Sequence, residues 1–206
     1  MAAIIEIETI QSREQLEEVK PFQIEELLWG THWIPVTYGY IGFVREEGFY
    51  LKMICEEKDP VRLYKENQSP VYRDSAMEAF FKFKAENGDS ENDLYLNFEF
   101  NANGALLAAY GTDRIHRVYF EKEDMRAFSC HALIEEERWS VSIYIPLFVL
   151  EKIYGSHILR KMNRFWCNFY KISENPSFEH YAAYSRIYTI LPDFHQPRYF
   201  AEAKIL

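Results

Sequence analysis

Tyr95-Leu96-Asn97-Phe98-Glu99-Phe100-Asn101, followed by Ala102-Asn103-Gly104, is the stretch whose reading decides the fold. Leu96, Phe98 and Phe100 alternate strictly with Tyr95, Asn97, Glu99 and Asn101. Successive side chains of a strand point to opposite faces, so one face is apolar and the other carries amides, a carboxylate and a ring. Asn-Gly tolerates the positive φ angles of a tight hairpin turn, so the chain is expected to reverse at Asn103-Gly104.

The same period of two recurs on both sides. Phe49, Leu51, Met53 and Cys55 alternate with more polar neighbours, as do Met77, Ala79, Phe81 and Phe83, then Trp139, Val141, Ile143 and Ile145, then Phe165, Cys167 and Phe169. Turn residues separate these runs at Glu46-Glu47-Gly48, Asn87-Gly88-Asp89 and Asn175-Pro176. Pro146 closes a strand, and Leu147 to Tyr154 reads as a short helix with Gly155 just past its end. Ala3 to Glu8 reads as a strand and Ser12 to Glu18 as a charged helical turn, with Ser12 and Gln15 in capping positions. Many short strands with tight turns predict an all-β chain. The expected form is an antiparallel β-sandwich, immunoglobulin-like or jelly-roll-like, as one domain over residues 1–206 with a strand–helix extension over 1–20.

With 206 residues the chain is long enough to bury a core without disulfides or a metal. Its 23 basic and 32 acidic side chains leave a net charge of −9, the wrong sign for nucleic-acid backbone or an anionic membrane surface. Cys55, Cys130 and Cys167 are odd in number and widely spaced, which excludes a disulfide framework and a thiolate zinc site, and they read as core. The opening Met1-Ala2-Ala3-Ile4-Ile5-Glu6 has no signal-peptide pattern, so the expected location is the cytoplasm, or outside the cell if a leader has been lost.

The non-core rows carry the functional signal. Tyr95, Asn97, Glu99 and Asn101 share a face, as do Trp166, Asn168 and Tyr170. Rings offer platforms for the CH face of a sugar, and planar amides and carboxylates hydrogen-bond adjacent hydroxyls. The same rows would also serve as a second core layer beneath long loops. Asp89, Glu91 and Asp93 lack the glycine and terminal glutamate of an EF-hand and read as an acidic loop. Glu78 and Glu99 fall on polar rows of adjacent-looking strands, which keeps a glycosidase in view as an alternative. His180 and His195 are candidates for the rim of a site or for hydrogen-bonded structural histidines. Aromatic residues make up 17% of the chain and divide into a Phe core and a Tyr-rich remainder, and the remainder is where a ligand is expected.

Ordered segments also resemble the family 9 carbohydrate-binding modules. They are Ser69-Pro70-Val71-Tyr72-Arg73-Asp74-Ser75-Ala76-Met77-Glu78-Ala79-Phe80-Phe81; Tyr95 to Asn101 with Gly104; Trp139 to Pro146; Asn168-Phe169-Tyr170-Lys171; His180-Tyr181-Ala182-Ala183-Tyr184-Ser185; and Asp193-Phe194-His195-Gln196-Pro197 with Phe200. The resemblance covers about residues 20 to 206. It implies a non-catalytic sandwich in carbohydrate catabolism that grips a small saccharide or a glycan end between two aromatic side chains, here Tyr72 and Tyr184. Glu78, Asn97, Glu99 and Asn168, with Tyr170 on the same row, would complete the site. It requires no cofactor, although some relatives hold a structural calcium, for which Asp59 and Asp74 are the candidates here. Some related sandwiches hold haem, for which Met53 and Met77 would be the thioethers, and a protein-interaction face built on Tyr and Trp is the remaining alternative.

Overall fold

The computed structural model describes residues 4–83, 94–155 and 163–206. The Asn87-Gly88-Asp89 turn and the acidic loop through Asp89, Glu91 and Asp93 lie outside these residues. The strands are β1 (Ile5–Thr9), β2 (Phe22–Gln23), β3 (Glu26–Leu27), β4 (Thr37–Val44), β5 (Gly48–Cys55), β6 (Ala76–Lys82), β7 (Tyr95–Asn101) and β8 (Leu106–Gly111). They continue with β9 (Arg117–Tyr119), β10 (His131–Ile134), β11 (Trp139–Pro146), β12 (Arg164–Ser173), β13 (His180–Ala183) and β14 (Ala201–Ile205). Two short helices, α1 (Lys122–Ala127) and α2 (Leu147–Tyr154), lie among them. No helix among the described residues is long and apolar enough to cross a membrane.

The strands run in the order β10-β11-β5-β4-β1-β14-β12-β6-β7-β8-β9, and β1 is the hinge of the arrangement. Ile5–Ile7 pair with Ala203–Ile205 of β14, while Glu8 and Thr9 pair with Gly42 and Phe43 of β4. One five-residue strand therefore passes from one layer to the other. Both of its pairings are parallel, so the expected all-antiparallel sandwich becomes a curled mixed sheet. Within the expected N-terminal extension, Ile5–Thr9 thus pair as part of the sheet. Ser12–Glu18 does turn, as a 3-10 helix over Arg13–Glu18, and Ser12 makes no side-chain capping bond.

Between the layers lies the Phe core, formed by Phe49, Phe81, Phe83, Phe98, Phe100, Phe165 and Phe169 with Trp139. Met53 and Met77 are fully buried in it. Cys55 and Cys167 are core residues, Cys130 packs against the core, and all three thiols are free. The reversal at Asn103-Gly104 forms as expected: Asn101 Oδ1 accepts from the backbone N–H groups of Asn103 and Ala105, and Gly104 takes φ +75°. Gly155 closes α2 with φ +100°, the positive-φ conformation that favours glycine.

The outer face of the β14-β12-β6-β7-β8 layer is covered in part. Phe80, Tyr95 and Tyr170 are buried there beneath a C-terminal loop that brings Ile187, Phe194 and Phe200 back over the strands. Tyr170 stacks on Phe194 at 4.1 Å and donates to its carbonyl at 3.3 Å. Beyond the loop the same face is open. One sheet face is thus covered in one half and open in the other.

Candidate functional site

The open half is a cleft of about 190 Å³. Its floor follows from strand parity. Glu78 on β6 is the register partner of Glu99 on β7, and Asn97 and Glu99 oppose Ala109 and Leu107 on β8. Tyr72, Trp29, Tyr181, Phe194 and His195 line it as ring-bearing side chains, together with Arg114, Arg117 and Glu174.

Local bonds fix these walls. Glu174 N–H donates to the Tyr72 carbonyl at 2.9 Å, joining the turn after β12 to the 3-10 turn Val71–Arg73. Trp29 donates its indole N–H to the Thr189 carbonyl at 2.9 Å, and its ring meets Tyr181 edge-on at 5.5 Å. His195 Nδ1 lies 2.8 Å from the Tyr95 hydroxyl, and burial lowers the His195 pKa to about 3, so the ring is neutral at ordinary pH.

The floor carries a directed polar relay. The Arg117 guanidinium lies 4.3 Å over the Tyr95 ring and donates to Asn97 Oδ1 and to the Tyr95 and Ala109 carbonyls. Asn97 Nδ2 then donates to Glu99 Oε1 at 2.9 Å. Burial dominates the Glu99 carboxyl and lifts its pKa to about 7, against the pull of Asn97 and Arg117. Burial and then the Glu99 charge hold the Glu78 pKa well above the usual carboxylate range. Glu78 is 3% exposed, lines the cleft, and has no hydrogen-bond donor among the described residues.

Of the residues expected from the sequence, Tyr72, Glu78, Asn97 and Glu99 come together in this cleft. The other three do not line it. Tyr170 is fully buried under Phe194. Asn168 is wholly buried and ties down the C-terminal loop, accepting from Ser185 N–H at 2.8 Å and donating to the Ser185 carbonyl at 2.8 Å. Tyr184 packs on the opposite side of the sheet, against Phe22 and Phe169. A clamp between Tyr72 and Tyr184 is therefore not formed: Tyr184 shares the parity of His180 and Ala182, whereas Tyr181, opposite Ile172, shares the cleft face. Trp29, Tyr119, Tyr181, Glu174, Arg114 and Arg117 are among the cleft residues that sequence reading misses; parity along β13 is the available signal for Tyr181.

Asp74 is likewise occupied. Its carboxylate accepts from Leu63 N–H at 2.9 Å, Tyr64 N–H at 3.0 Å and Asn101 Nδ2 at 2.7 Å, which uses it as a loop anchor. Asp59 is exposed. No group of three His, Cys, Asp or Glu side chains among the described residues could hold a metal ion. A calcium site on Asp59 and Asp74 does not fit these contacts.

The family model of carbohydrate-binding family 9 matches residues 10–205. The chain belongs to carbohydrate-binding family 9. This makes it a non-catalytic carbohydrate-binding chain. No curated protein matches its sequence. Among solved structures, a candidate carbohydrate-binding protein of Bacteroides uniformis superposes with a TM-score of 0.82 at 18% identity, covering 100% of each chain. A family 9 module of Caldicellulosiruptor kristjanssonii in complex with cellotriose gives 0.66 at 11% identity, covering 98% of this chain and 93% of that one. A module from the same organism in complex with glucose gives 0.66 at 13% identity, covering 99% and 96%. At these identities the likeness is one of fold. Tyr184, the second clamp position that the resemblance implies, stands on the core side of the sheet.

Proposed function

We propose that the cleft above Glu78 and Glu99 grips a small saccharide or the end of a glycan. The Tyr72 ring, with Tyr181 and Trp29, supplies flat apolar surface for a sugar ring, and the Glu78 carboxyl and the Arg114 guanidinium receive its hydroxyls. The observation that carries this reading is Glu78: a buried carboxyl that lines an aromatic-walled cleft and has no hydrogen-bond donor among the described residues. Its oxygens face the cleft rather than a protein donor, so a ligand hydroxyl can bond there without displacing an existing contact. Asn97 and Glu99 are already linked to Arg117, so their part is to fix the floor and to offer the remaining Glu99 lone pairs.

Geometry also favours binding over hydrolysis. Glu78 and Glu99 rise side by side from adjacent strands, so both meet a ligand from the same side. Glycoside hydrolysis needs carboxyls that flank the scissile bond. The relatives solved with glucose and cellotriose make these sugars the first probes. Calorimetric titration with glucose and cello-oligosaccharides is expected to show binding in the wild type and none in Glu78→Ala. Equal binding by Glu78→Ala would place the site elsewhere.

A further inference from the structure

The cleft holds more acid than base, and its bases are largely engaged. Glu78 enters from β6, Glu99 from β7 and Glu174 from the turn after β12. Arg117 is bound to Asn97 and to backbone carbonyls, and Arg114 sits exposed at the mouth, 3.4 Å from the Pro192 carbonyl. Asp193 turns into its own loop, accepting from His195 N–H and Gln196 Nε2. On the floor, Glu78 has no hydrogen-bond donor among the described residues and is the register partner of Glu99.

A sugar hydroxyl brings one donor and no charge to that pair. An ammonium brings three donors and the opposite charge, and charge-assisted bonds of this kind are roughly twice as strong as neutral ones. A uronic acid would instead set another carboxyl against that pair, with no opposite charge to offer it. We infer that this cleft takes a saccharide carrying a protonated amine, an amino sugar or the end of its oligomer, with the ammonium seated between the Glu78 and Glu99 carboxyls. The inference rests on the sugar-binding reading of the same cleft and narrows its substrate class.

The raised carboxyl pKa values agree with this geometry. Near neutrality the empty pair retains a proton, and an entering ammonium displaces it to the buffer, leaving a carboxylate paired with the cation.

The test is calorimetric titration of the whole chain near neutral pH. The probes are glucosamine, fully deacetylated chitobiose, N-acetylglucosamine, glucose and cellobiose, each in two buffers of different ionisation enthalpy. The amines are expected to bind roughly tenfold tighter than their neutral counterparts, with net proton release. Glu78→Gln, and separately Glu99→Gln, are expected to bring the amine-to-neutral ratio close to one while a cooperative melt confirms folding. Glucose and cellobiose binding as tightly as the amines would overturn the amino-sugar assignment and leave the sugar-binding reading standing. No binding by any of the five probes would remove both. An amine preference unchanged in both variants would place the ammonium elsewhere and overturn the inference.

Discussion

Glu78 and Glu99 are direct register partners across β6 and β7, two carboxyls side by side on the floor of one aromatic-walled cleft. Cross-strand partners of like charge are destabilising, and here both are also buried. The fold therefore holds a proton at this site over a pH range in which an exposed carboxylate holds none.

This sets a pH dependence of stability with a definite sign. The Glu99 pKa is raised from 4.5 to about 7 on folding. Between these values the native state binds more protons than the unfolded one, so stability falls as pH rises and the loss is complete above pH 7. Melting temperatures measured from pH 5 to 8 are expected to decline in the wild type and to decline less in Glu99→Gln, an effect on the order of 3 kcal/mol at most. Parallel curves for the two proteins would show that Glu99 does not carry the proton.

Tyr72 and Tyr184 are expected to separate binding from stability. Tyr72 lines the cleft and is partly exposed, so Tyr72→Ala should weaken sugar binding roughly tenfold or more and change stability by about 1 kcal/mol or less. Tyr184 packs edge-on against Phe22 and Phe169 at the core side, so Tyr184→Ala should cost about 2 kcal/mol and leave the affinity of the folded protein near wild type. Calorimetry with matched thermal melts checks both, and a binding loss confined to Tyr184→Ala would reverse the assignment.

Strand parity explains what the sequence made legible. The alternation at 95–101 and 76–82 placed Glu78, Asn97 and Glu99 on one face because a period of two is local and needs no knowledge of neighbours. The parallel pairings of β1 depend on β14, almost two hundred residues away, and no local pattern encodes them. Alternation places Tyr170 and Asn168 on the outer face, but which part of that face is covered depends on the path of the 185–200 loop. The family resemblance puts Tyr184 at the cleft, although a residue three places after Tyr181 falls on the opposite side of an extended chain.

Chelation is expected to leave the protein unchanged. Both oxygens of Asp74 already accept protein N–H donors, three in all, which anchor the loop before β6 to Asn101. Melting curves with and without EDTA should therefore superpose. A drop of several degrees on chelation would mean that a cation is held by other ligands.

Asn168 governs the loop that covers half of the outer face. Its amide exchanges two hydrogen bonds with Ser185 and also accepts from Phe169 N–H at 3.0 Å. Asn168→Ala removes all three from a buried site, a loss of about 3 kcal/mol. Phe194 and His195 lie on the same loop and line the cleft, so sugar binding is expected to weaken as well. Asn168→Asp keeps the two acceptor contacts and should retain more of both properties; equal losses in the two variants would argue against the tether.

Lys171 anchors the buried polar cluster on the other side of β12. Its ammonium, wholly buried, donates to Ser75 Oγ at 2.7 Å and lies 2.9 Å from His180 Nε2 and 4.0 Å from Glu57 Oε2. Burial and then the Lys171 charge lower the His180 pKa to about 4, so a neutral imidazole accepts from the ammonium while Nδ1 faces the Phe178 carbonyl at 2.9 Å. Burial would raise the Glu57 pKa, but Lys171 and the bonds from Ser75, Trp139 and Cys55 lower it on balance, so Glu57 is ionised and depends on the lysine. Lys171→Met leaves that carboxylate uncompensated and is expected to cost about 3–5 kcal/mol. Adding Glu57→Gln removes the stranded charge and should restore a large part of the loss, as read by denaturant unfolding of the single and double variants. If the two losses simply add, the ammonium and the carboxylate act independently and the cluster is not held by their pairing.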